Sequence, residues 1–152
     1  MAASKYPLTG FHFTVVWNPD DKENVSFSEV TGLNMSTTAI EYREGSDKDF
    51  TTFKMPGIRK YSNITLKRGT MALDNGFYKW FNTIKNNTVT RRDITITLLD
   101  EEHKEVITWN VKNAFPVKYD GGSLNASKGE VLIESVELAC ESFDVTWNNV
   151  KE

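Results

Sequence analysis

The chain has few of the residues that carry chemistry or cross-link a fold. Its single cysteine, Cys140, excludes an internal disulfide and fits a reducing compartment. Its two histidines, His12 and His103, lie far apart in the sequence. No stretch approaches the roughly 18 apolar residues of a membrane-spanning helix, and the N-terminus has no apolar run of signal-peptide length. We therefore expect assembly in the cytoplasm, without a cleavable signal and without membrane insertion.

Positive charge is also scarce. The chain has 18 basic and 21 acidic residues, which gives a formal net charge of -3 at pH 7. General nucleic-acid binding usually requires a basic domain. The composition therefore argues against a protein whose main role is to bind nucleic acid.

Motifs for catalysis or ligand binding are missing as well. A zinc site needs ligands at short, regular spacings, which neither the histidines nor Cys140 provide. The acidic turn 100–102 lacks the spaced carboxylates and the glycine of a calcium loop. We find no glycine-rich phosphate loop and no nucleophile motif. The sequence therefore predicts a protein that is not an enzyme, with no catalytic residue, no cofactor and no metal.

Alternating apolar residues are present, and they predict strands. The length of 152 residues and the 39% hydrophobic content fit one packed domain over residues 1–152. A period of two predicts strands over residues 11–17, 25–30 (the return strand of a hairpin), 37–43, 62–68, 92–99, 106–112 and 130–143 (a long final strand in which a bulge is allowed for). The alternation breaks at residues 113–116, and residues 144–152 are expected to form a tail.

One helix is predicted near residues 74–86. Its apolar stripe has the spacing i, i+3, i+4 and i+7 and consists of Phe77, Trp80, Phe81 and Ile84. Asp74 or Asn75 is expected to cap it. Together these elements predict a mainly β fold, an antiparallel β-barrel or sandwich with one packed α-helix.

A polar segment at residues 44–53 is predicted to be a loop or protruding arm, followed by a turn at Met55–Gly57. Charged and aromatic side chains mark this arm as a candidate contact with a neighbouring subunit: Glu44, Asp47, Phe50 and Phe53. An ordinary mobile loop is the alternative. Deletion of residues 45–52 is expected to leave a folded protein that no longer makes long assemblies.

Charge is unevenly distributed along the chain. The segment Lys54–Gly69 has five basic residues and no acidic one: Lys54, Arg59, Lys60, Lys67 and Arg68. Residues 130–152 contain six acidic residues and one basic residue, and Glu134, Glu137 and Glu141 are the acidic candidates for pairing. The two segments can pair across strands of one protomer, or between protomers in a heterologous contact that closes into a ring or extends as a filament.

Several segments, in this order, carry a resemblance to a known family: 27–33, 41–45, 54–69, 91–98, 109–116 and 133–139. Over residues 10–143 the chain resembles the tail tube proteins of contractile phages and extracellular contractile injection systems, which are related to type VI secretion tube proteins. The resemblance implies hexameric rings that stack into a hollow tube inside a contractile sheath. It also implies assembly in the bacterial cytoplasm and a place in a phage tail or tail-like particle.

The resemblance further implies several partners. They are other copies of the chain, a sheath protein, a baseplate hub or spike, a tube terminator, and cargo or DNA in the lumen. Small polar side chains such as Thr95, Thr97 and Thr108 are predicted to line that lumen, because one face of each strand is free of the core. Two alternatives remain, a type VI-like secreted ring that carries effectors and a small-ligand-binding split β-barrel.

Overall fold

The computed structural model describes residues 6–17, 27–43, 45, 53–86 and 88–148. In this part of the chain it contains nine strands and one short helix. In chain order they are β1 (Phe13–Val16), β2 (Glu29–Thr31), β3 (Met35–Tyr42), β4 (Phe53–Tyr61), β5 (Ile64–Gly69), α1 (Gly76–Phe81), β6 (Arg92–Leu99), β7 (Glu105–Asp120), β8 (Ile133–Ala139) and β9 (Ser142–Trp147).

The long strand β7 joins two halves of one antiparallel sheet. Its first part pairs with β6 and β9, and its last part pairs with β8. The strand order is β1-β6-β7-β8-β5-β2, and β9 pairs with the first part of β7 on the side opposite to β6. At the change of partners Asn113 has a φ of 53°, a left-handed conformation that asparagine tolerates better than most residues. The predicted break at residues 113–116 is therefore an irregular point within a continuous strand.

The core lies between the two halves of the sheet and under α1. Apolar side chains from both halves are fully buried together, including Ile94 and Val111 from one half and Leu66 and Val136 from the other. Because alternate residues of each strand face this core, the other faces are free for other contacts. The mainly β, barrel-like or sandwich-like fold with one packed helix is confirmed.

The helix is shorter than predicted. Phe77 and Trp80 are buried beneath it, as the apolar stripe predicts, but α1 ends at Phe81 and Ile84 is exposed. Thr83 contributes to this end, because its hydroxyl donates a 2.7 Å hydrogen bond to the Trp80 carbonyl. At the start, an Asp74 carboxylate oxygen accepts a 3.0 Å hydrogen bond from the Gly76 N–H.

The predicted strand over 130–143 is wrong in its extent. It consists of two strands, β8 and β9, separated at Cys140 and Glu141, and they pair with different parts of β7. Between the two strands, the Glu141 N–H donates to the Lys112 carbonyl of β7. Residues 144–147 therefore belong to β9 and are not part of a tail.

Two further predictions about the first half of the chain are wrong. The strand expected to return beside β1 pairs instead with β5, where Val30 is in register with Leu66. The Pro56–Gly57 turn lies inside β4, opposite a register shift in β3. Bulges and two-stranded ribbons tolerate proline and glycine, and a Cβ at Gly57 would lie only 2.5 Å from the Thr38 carbonyl oxygen.

Candidate assembly surfaces

A row of threonines crosses one face of the sheet half formed by β1, β6, β7 and β9. In register, Thr14 lies opposite Thr97, Thr97 opposite Thr108, and Thr108 opposite Thr146. Ile96, next to Thr97 on β6, points into the core. Since neighbouring residues of a strand face opposite sides, the threonines face away from the core. This face, called the threonine face below, carries a row of small hydroxyl groups across four strands.

The threonine face includes every threonine that the sequence analysis assigned to a lumen. Thr95 is the neighbouring residue of this face along β6. Thr97 is only 6% exposed, because Thr14 and Thr108 lie on either side of it. Charge on this face gathers at one end, where the Lys112 ammonium lies 3.9 Å from an Asp93 carboxylate oxygen and Asp144 follows on β9. The centre of the face therefore carries no formal charge.

The two outer strands of this sheet half have open edges. Among the described strands, β1 pairs only with β6 and β9 only with β7. An open edge presents unpaired N–H and C=O groups, which bind another strand readily. Because β1, β6, β7 and β9 alternate in direction, a second copy's β1 would lie antiparallel to β9 and continue the same sheet.

Strands β3 and β4 form a separate two-stranded ribbon, which pairs with no other described strand. All eight residues of β3 and seven of the nine in β4 are exposed. Large apolar side chains are among them: Met35, Ile40, Tyr42, Phe53, Met55 and Ile58. A two-stranded ribbon alone is marginally stable in water, and exposed apolar patches mark interaction sites. The ribbon is therefore a candidate contact with another subunit.

The predicted contact residues divide between the ribbon and the body of the protein. Phe53, Lys54, Met55, Arg59 and Lys60 lie on β4, and none of the three basic side chains forms an ion pair with another described residue. Glu44, Asp47 and Phe50 lie outside the described residues. Residues 53–57 form the first part of β4. The predicted arm is therefore wrong at its last residue, Phe53, and the predicted turn at Met55–Gly57 is wrong.

Arg68 and Glu134 meet inside the protomer, on the adjacent strands β5 and β8. Arg68 is 1% exposed, and its Nε donates a 2.6 Å hydrogen bond to Glu134. Its two terminal nitrogens donate to Asp74 at 3.0 and 3.2 Å, and its guanidinium lies 4.1 Å from the ring centroid of Phe77. The Tyr119 hydroxyl lies 3.4 Å from Glu134. This cluster fixes the start of α1 against the sheet, so these two charges are not free to bind another copy.

The remaining charged candidates also have partners within the protomer. The Lys67 ammonium lies 3.5 Å from a Glu29 carboxylate oxygen on the neighbouring strand. A Glu141 carboxylate oxygen lies 3.7 Å from an Arg91 nitrogen, and Glu137 accepts a 3.4 Å hydrogen bond from an asparagine side chain. Except for Arg68 and Glu134, these groups are at least partly accessible. Pairing within the protomer thus uses the β5 end of the basic segment, whereas the basic side chains at the β4 end form no ion pair with another described residue.

Burial and the neighbouring Glu134 carboxylate raise the pKa of Tyr119 above its ordinary value of 10.0. A raised pKa in the folded state means that the folded chain holds the phenolic proton more tightly than the unfolded chain does. This contribution to stability is complete below pH 10 and is lost as the pH rises through the folded-state pKa. We predict that Tyr119→Phe flattens the alkaline fall in unfolding free energy, as measured by urea denaturation between pH 8 and 11.5.

The variant Cys140→Ser serves as a comparison for the alkaline fall in unfolding free energy. Burial raises the pKa of its thiol above 9.0, so Cys140→Ser should alter the same curve at lower pH than Tyr119→Phe. An alkaline limb that is identical in Tyr119→Phe and the unmodified chain would contradict the assignment to Tyr119.

The two histidines lie side by side, which their separation in the sequence did not predict. The turn between β6 and β7 brings the ring centroid of His103 to 5.2 Å from that of His12. Within the described ranges no group of three histidine, cysteine or carboxylate side chains could hold a metal ion. No helix in the described part of the chain is long and apolar enough to cross a membrane.

Comparison with known proteins shows the family. Residues 9–144 match the T4-like virus tail tube protein gp19 family. A chain of the PVC extracellular contractile injection system, solved as the sheath-tube complex in its extended state, is 32% identical with a TM-score of 0.83. The alignment covers 94% of this chain and 93% of that one. The anti-feeding prophage cap, described as the AFP tube terminating cap, is 33% identical with a TM-score of 0.85 and coverages of 97% and 95%.

More distant structures share only the fold. Hcp1 from Flavobacterium johnsoniae is 12% identical with a TM-score of 0.56, and the alignment covers 91% of this chain and 97% of Hcp1. Among curated protein sequences, the comparison finds no match.

The fold, its open strand edges and these similarities define a structural inner-tube subunit of a phage tail or tail-like particle. The chain belongs to the T4-like virus tail tube protein gp19 family. The family assignment favours this role over the small-ligand-binding barrel that the sequence left open.

Proposed function

We propose that six copies close into a ring and that the rings stack into a hollow tube inside a contractile sheath. Contraction of the sheath then drives the tube outward together with cargo or DNA in its lumen. The proposed partners are copies of the chain, a sheath protein, a baseplate hub or spike, and a tube terminator. The similarity to chains solved in a sheath-tube complex and in a tube terminating cap supports the sheath protein and the terminator among these partners.

The two open edges of the sheet half that carries the threonine face support ring closure. Strand β1 of one copy pairs with β9 of the next, which removes both edges from solvent. The contact joins different surfaces of the two copies, so it is heterologous and closes when the rotation between copies completes a circle. All strands of the resulting barrel are antiparallel to their neighbours.

The threonine face lines the bore, and the unbroken row of threonines across four strands is the observation that carries this proposal. A wall of hydroxyl groups without formal charge at its centre offers no site that holds a passing polymer electrostatically. The charged group of Asp93, Lys112 and Asp144 then lies toward one mouth of each ring. Residues 1–152 act as one tube domain that is assembled in the bacterial cytoplasm.

A single cysteine on the threonine face tests this placement. Thr146→Cys in a Cys140→Ser background is a better probe than a cysteine at Thr97, because Thr146 is exposed. In dispersed protomers we expect both a small maleimide and a maleimide carrying a bulky polymer to label it. In assembled tubes the small reagent should still label Thr146→Cys, whereas the bulky one should be excluded from the bore.

Lys79→Cys, on the exposed side of α1, is the matched control, and it should not show this difference between the two reagents in tubes. Equal labelling of Thr146→Cys by both reagents in intact tubes would place the threonine face outside the bore.

The β3–β4 ribbon is the proposed contact between rings. Its exposed apolar side chains and the basic residues Lys54, Arg59 and Lys60 support this role, as does its lack of pairing with any other described strand. Glu44, Asp47 and Phe50 belong to the same proposed contact through their position in the sequence.

A further inference from the structure

The sequence contains a single asparagine that is followed by glycine. This pair, Asn75 and Gly76, lies at the start of α1. In such a pair the backbone nitrogen of the glycine can attack the side-chain carbonyl carbon of the asparagine, because glycine has no side chain to hinder the approach. The attack leads to loss of the side-chain amide as ammonia. Asn75 is exposed, so water reaches the reacting groups.

The fold requires glycine at position 76. A Cβ there would lie 2.6 Å from a ring carbon of Trp17 and 3.2 Å from the Asp74 Oδ1 atom. Trp17 is 4% exposed and packs against Phe77 and Trp80, so the core holds its ring in place. Because no larger residue fits at position 76, protection of the reactive pair has to come from its conformation.

Two features of the structure keep the reacting groups apart. At Asn75 the ψ angle is 25°, which turns the Gly76 nitrogen away from the Asn75 side chain. The cyclic product can form only after this nitrogen has rotated to the side of the Asn75 Cβ. In addition, the Gly76 N–H donates a 3.0 Å hydrogen bond to the Asp74 Oδ1 atom, as in an Asx turn. Rotation toward the reactive conformation breaks this bond and displaces the start of α1.

The buried side chain of Arg68 fixes the position of the Asp74 carboxylate. Two terminal nitrogens of Arg68 donate to Asp74 at 3.0 and 3.2 Å, and Arg68 is 1% exposed. A charged pair with two hydrogen bonds fixes orientation as well as distance. The hydrogen bond from Gly76 and the Arg68–Asp74 pair share the Asp74 Oδ1 atom and are called the Asp74 clamp below.

We propose that Asn75 is a site of spontaneous deamidation and that the Asp74 clamp controls its rate. When the clamp opens, the Gly76 nitrogen loses its proton and forms a bond to the Asn75 Cγ atom. The bond from Cγ to the amide nitrogen breaks, and ammonia leaves. Water then opens the cyclic imide at either carbonyl group, which gives aspartate or isoaspartate at position 75. The proposal is independent of the tube function.

The modification alters the start of α1. It places a second carboxylate beside Asp74, and the isoaspartate product adds one methylene group to the backbone directly before Gly76. Gly76 and Phe77 both lie against the ring of Trp17, so a longer backbone cannot keep both in their places in a close-packed core. The modified chain should therefore unfold at a lower temperature than the unmodified chain. Because ammonia is lost, refolding does not reverse the change.

Mass spectrometry of the tryptic peptide 69–79 measures the reaction, since Asn75 is the only asparagine in this peptide. The folded chain and its variants are incubated at mildly alkaline pH. We expect Asp74→Ala to raise the deamidation rate roughly tenfold, the effect of losing one hydrogen bond to a charged group. Asp74→Ser should restore part of the protection, because a serine hydroxyl can accept from the same N–H. Asn75→Ser should abolish the mass change.

Glu134→Leu is the matched control for loss of stability. This variant removes the other carboxylate partner of Arg68 but keeps the hydrogen bond between Gly76 and Asp74. It should destabilise the fold more than a change at Asp74, because Glu134 is the more deeply buried partner. Its deamidation rate in the folded state should nevertheless rise less than that of Asp74→Ala. In urea all chains that retain Asn75 should react at one common, higher rate.

Three results would overturn the proposal. A faster reaction in folded Glu134→Leu than in folded Asp74→Ala would show that global unfolding controls the rate. Equal rates for Asp74→Ala and the unmodified chain in the folded state would show that the clamp gives no protection. Equal rates for the unmodified chain with and without urea would show that the folded structure does not slow the reaction.

Discussion

Replacing Glu134 with leucine is expected to lower the free energy of unfolding by about 3 kcal/mol, because it leaves the Arg68 charge buried without the partner of its shortest hydrogen bond. Arg68 is 1% exposed and bonds Glu134 at 2.6 Å, so water cannot replace the lost carboxylate. Asp74 still accepts two hydrogen bonds from the guanidinium, which keeps the loss at the low end of the range for buried pairs. For a chain of this length the melting temperature should fall by roughly 6–12 °C.

Two companion variants distinguish a charge effect from a packing effect. Asp74→Asn should cost less, since the Asp74 side chain is 36% exposed and water can compensate. The double variant Arg68→Met with Glu134→Leu should recover most of the loss, because it removes both buried charges and retains volume beside Phe77. If the double variant were less stable than Glu134→Leu alone, the buried charge would not be the cause.

Truncation of the β3–β4 ribbon is expected to abolish long tubes while leaving the protomer folded. Thr37 lies opposite Arg59, so residues 38–58 can be replaced by Asn-Gly, a two-residue connection that closes antiparallel strands. The truncated chain keeps Met35 and Tyr61 at the base of the ribbon and loses the exposed outer part with its apolar side chains. Rings should still form, because β1 and β9 are untouched.

Thermal unfolding tests whether the truncated chain stays folded, and electron microscopy tests whether it still forms long tubes. The melting temperature should stay within a few degrees of the full chain, since the described residues that are removed are almost all exposed, and exposed side chains contribute little to stability. Lys60→Gln, which keeps the ribbon and changes one charge, should still form tubes at low salt. Tubes of normal length from the truncated chain would show that the ribbon has no part in stacking.

Much of the fold could be predicted from local patterns. The alternation Ile94, Ile96, Leu98 predicted β6 with its observed bounds, since a strand half facing a core must repeat with a period of two. The stripe of Phe77 and Trp80 identified the helix. Its end could not be predicted, because the Thr83 hydroxyl bond and the turn that follows compete with the helix.

Features that depend on strand pairing could not be predicted from the sequence. Pro56 and Gly57 are turn residues by propensity, yet they lie in a strand because a register shift in the ribbon accommodates them. Asn113 interrupts the alternation of β7 without ending it, because the strand changes partners there.

The candidate surfaces could likewise be predicted only in part, because their completion depends on strand registers. The sequence singled out Thr95, Thr97 and Thr108, but their continuation through Thr14 and Thr146 depends on registers between strands far apart in the chain. Opposite charges on the Arg68 and Glu134 segments were visible in the sequence. Whether they met within one protomer or between two required the β5–β8 register.

Electron cryo-microscopy of the purified chain, at low and at high salt, tests the central claim most directly. We expect six-fold rings stacked into hollow tubes at low salt, with the threonine face on the bore and shorter stacks at high salt. A particle that remains a monomer or dimer under both conditions, even with a baseplate template present, and that carries a bound small molecule would contradict the inner-tube role.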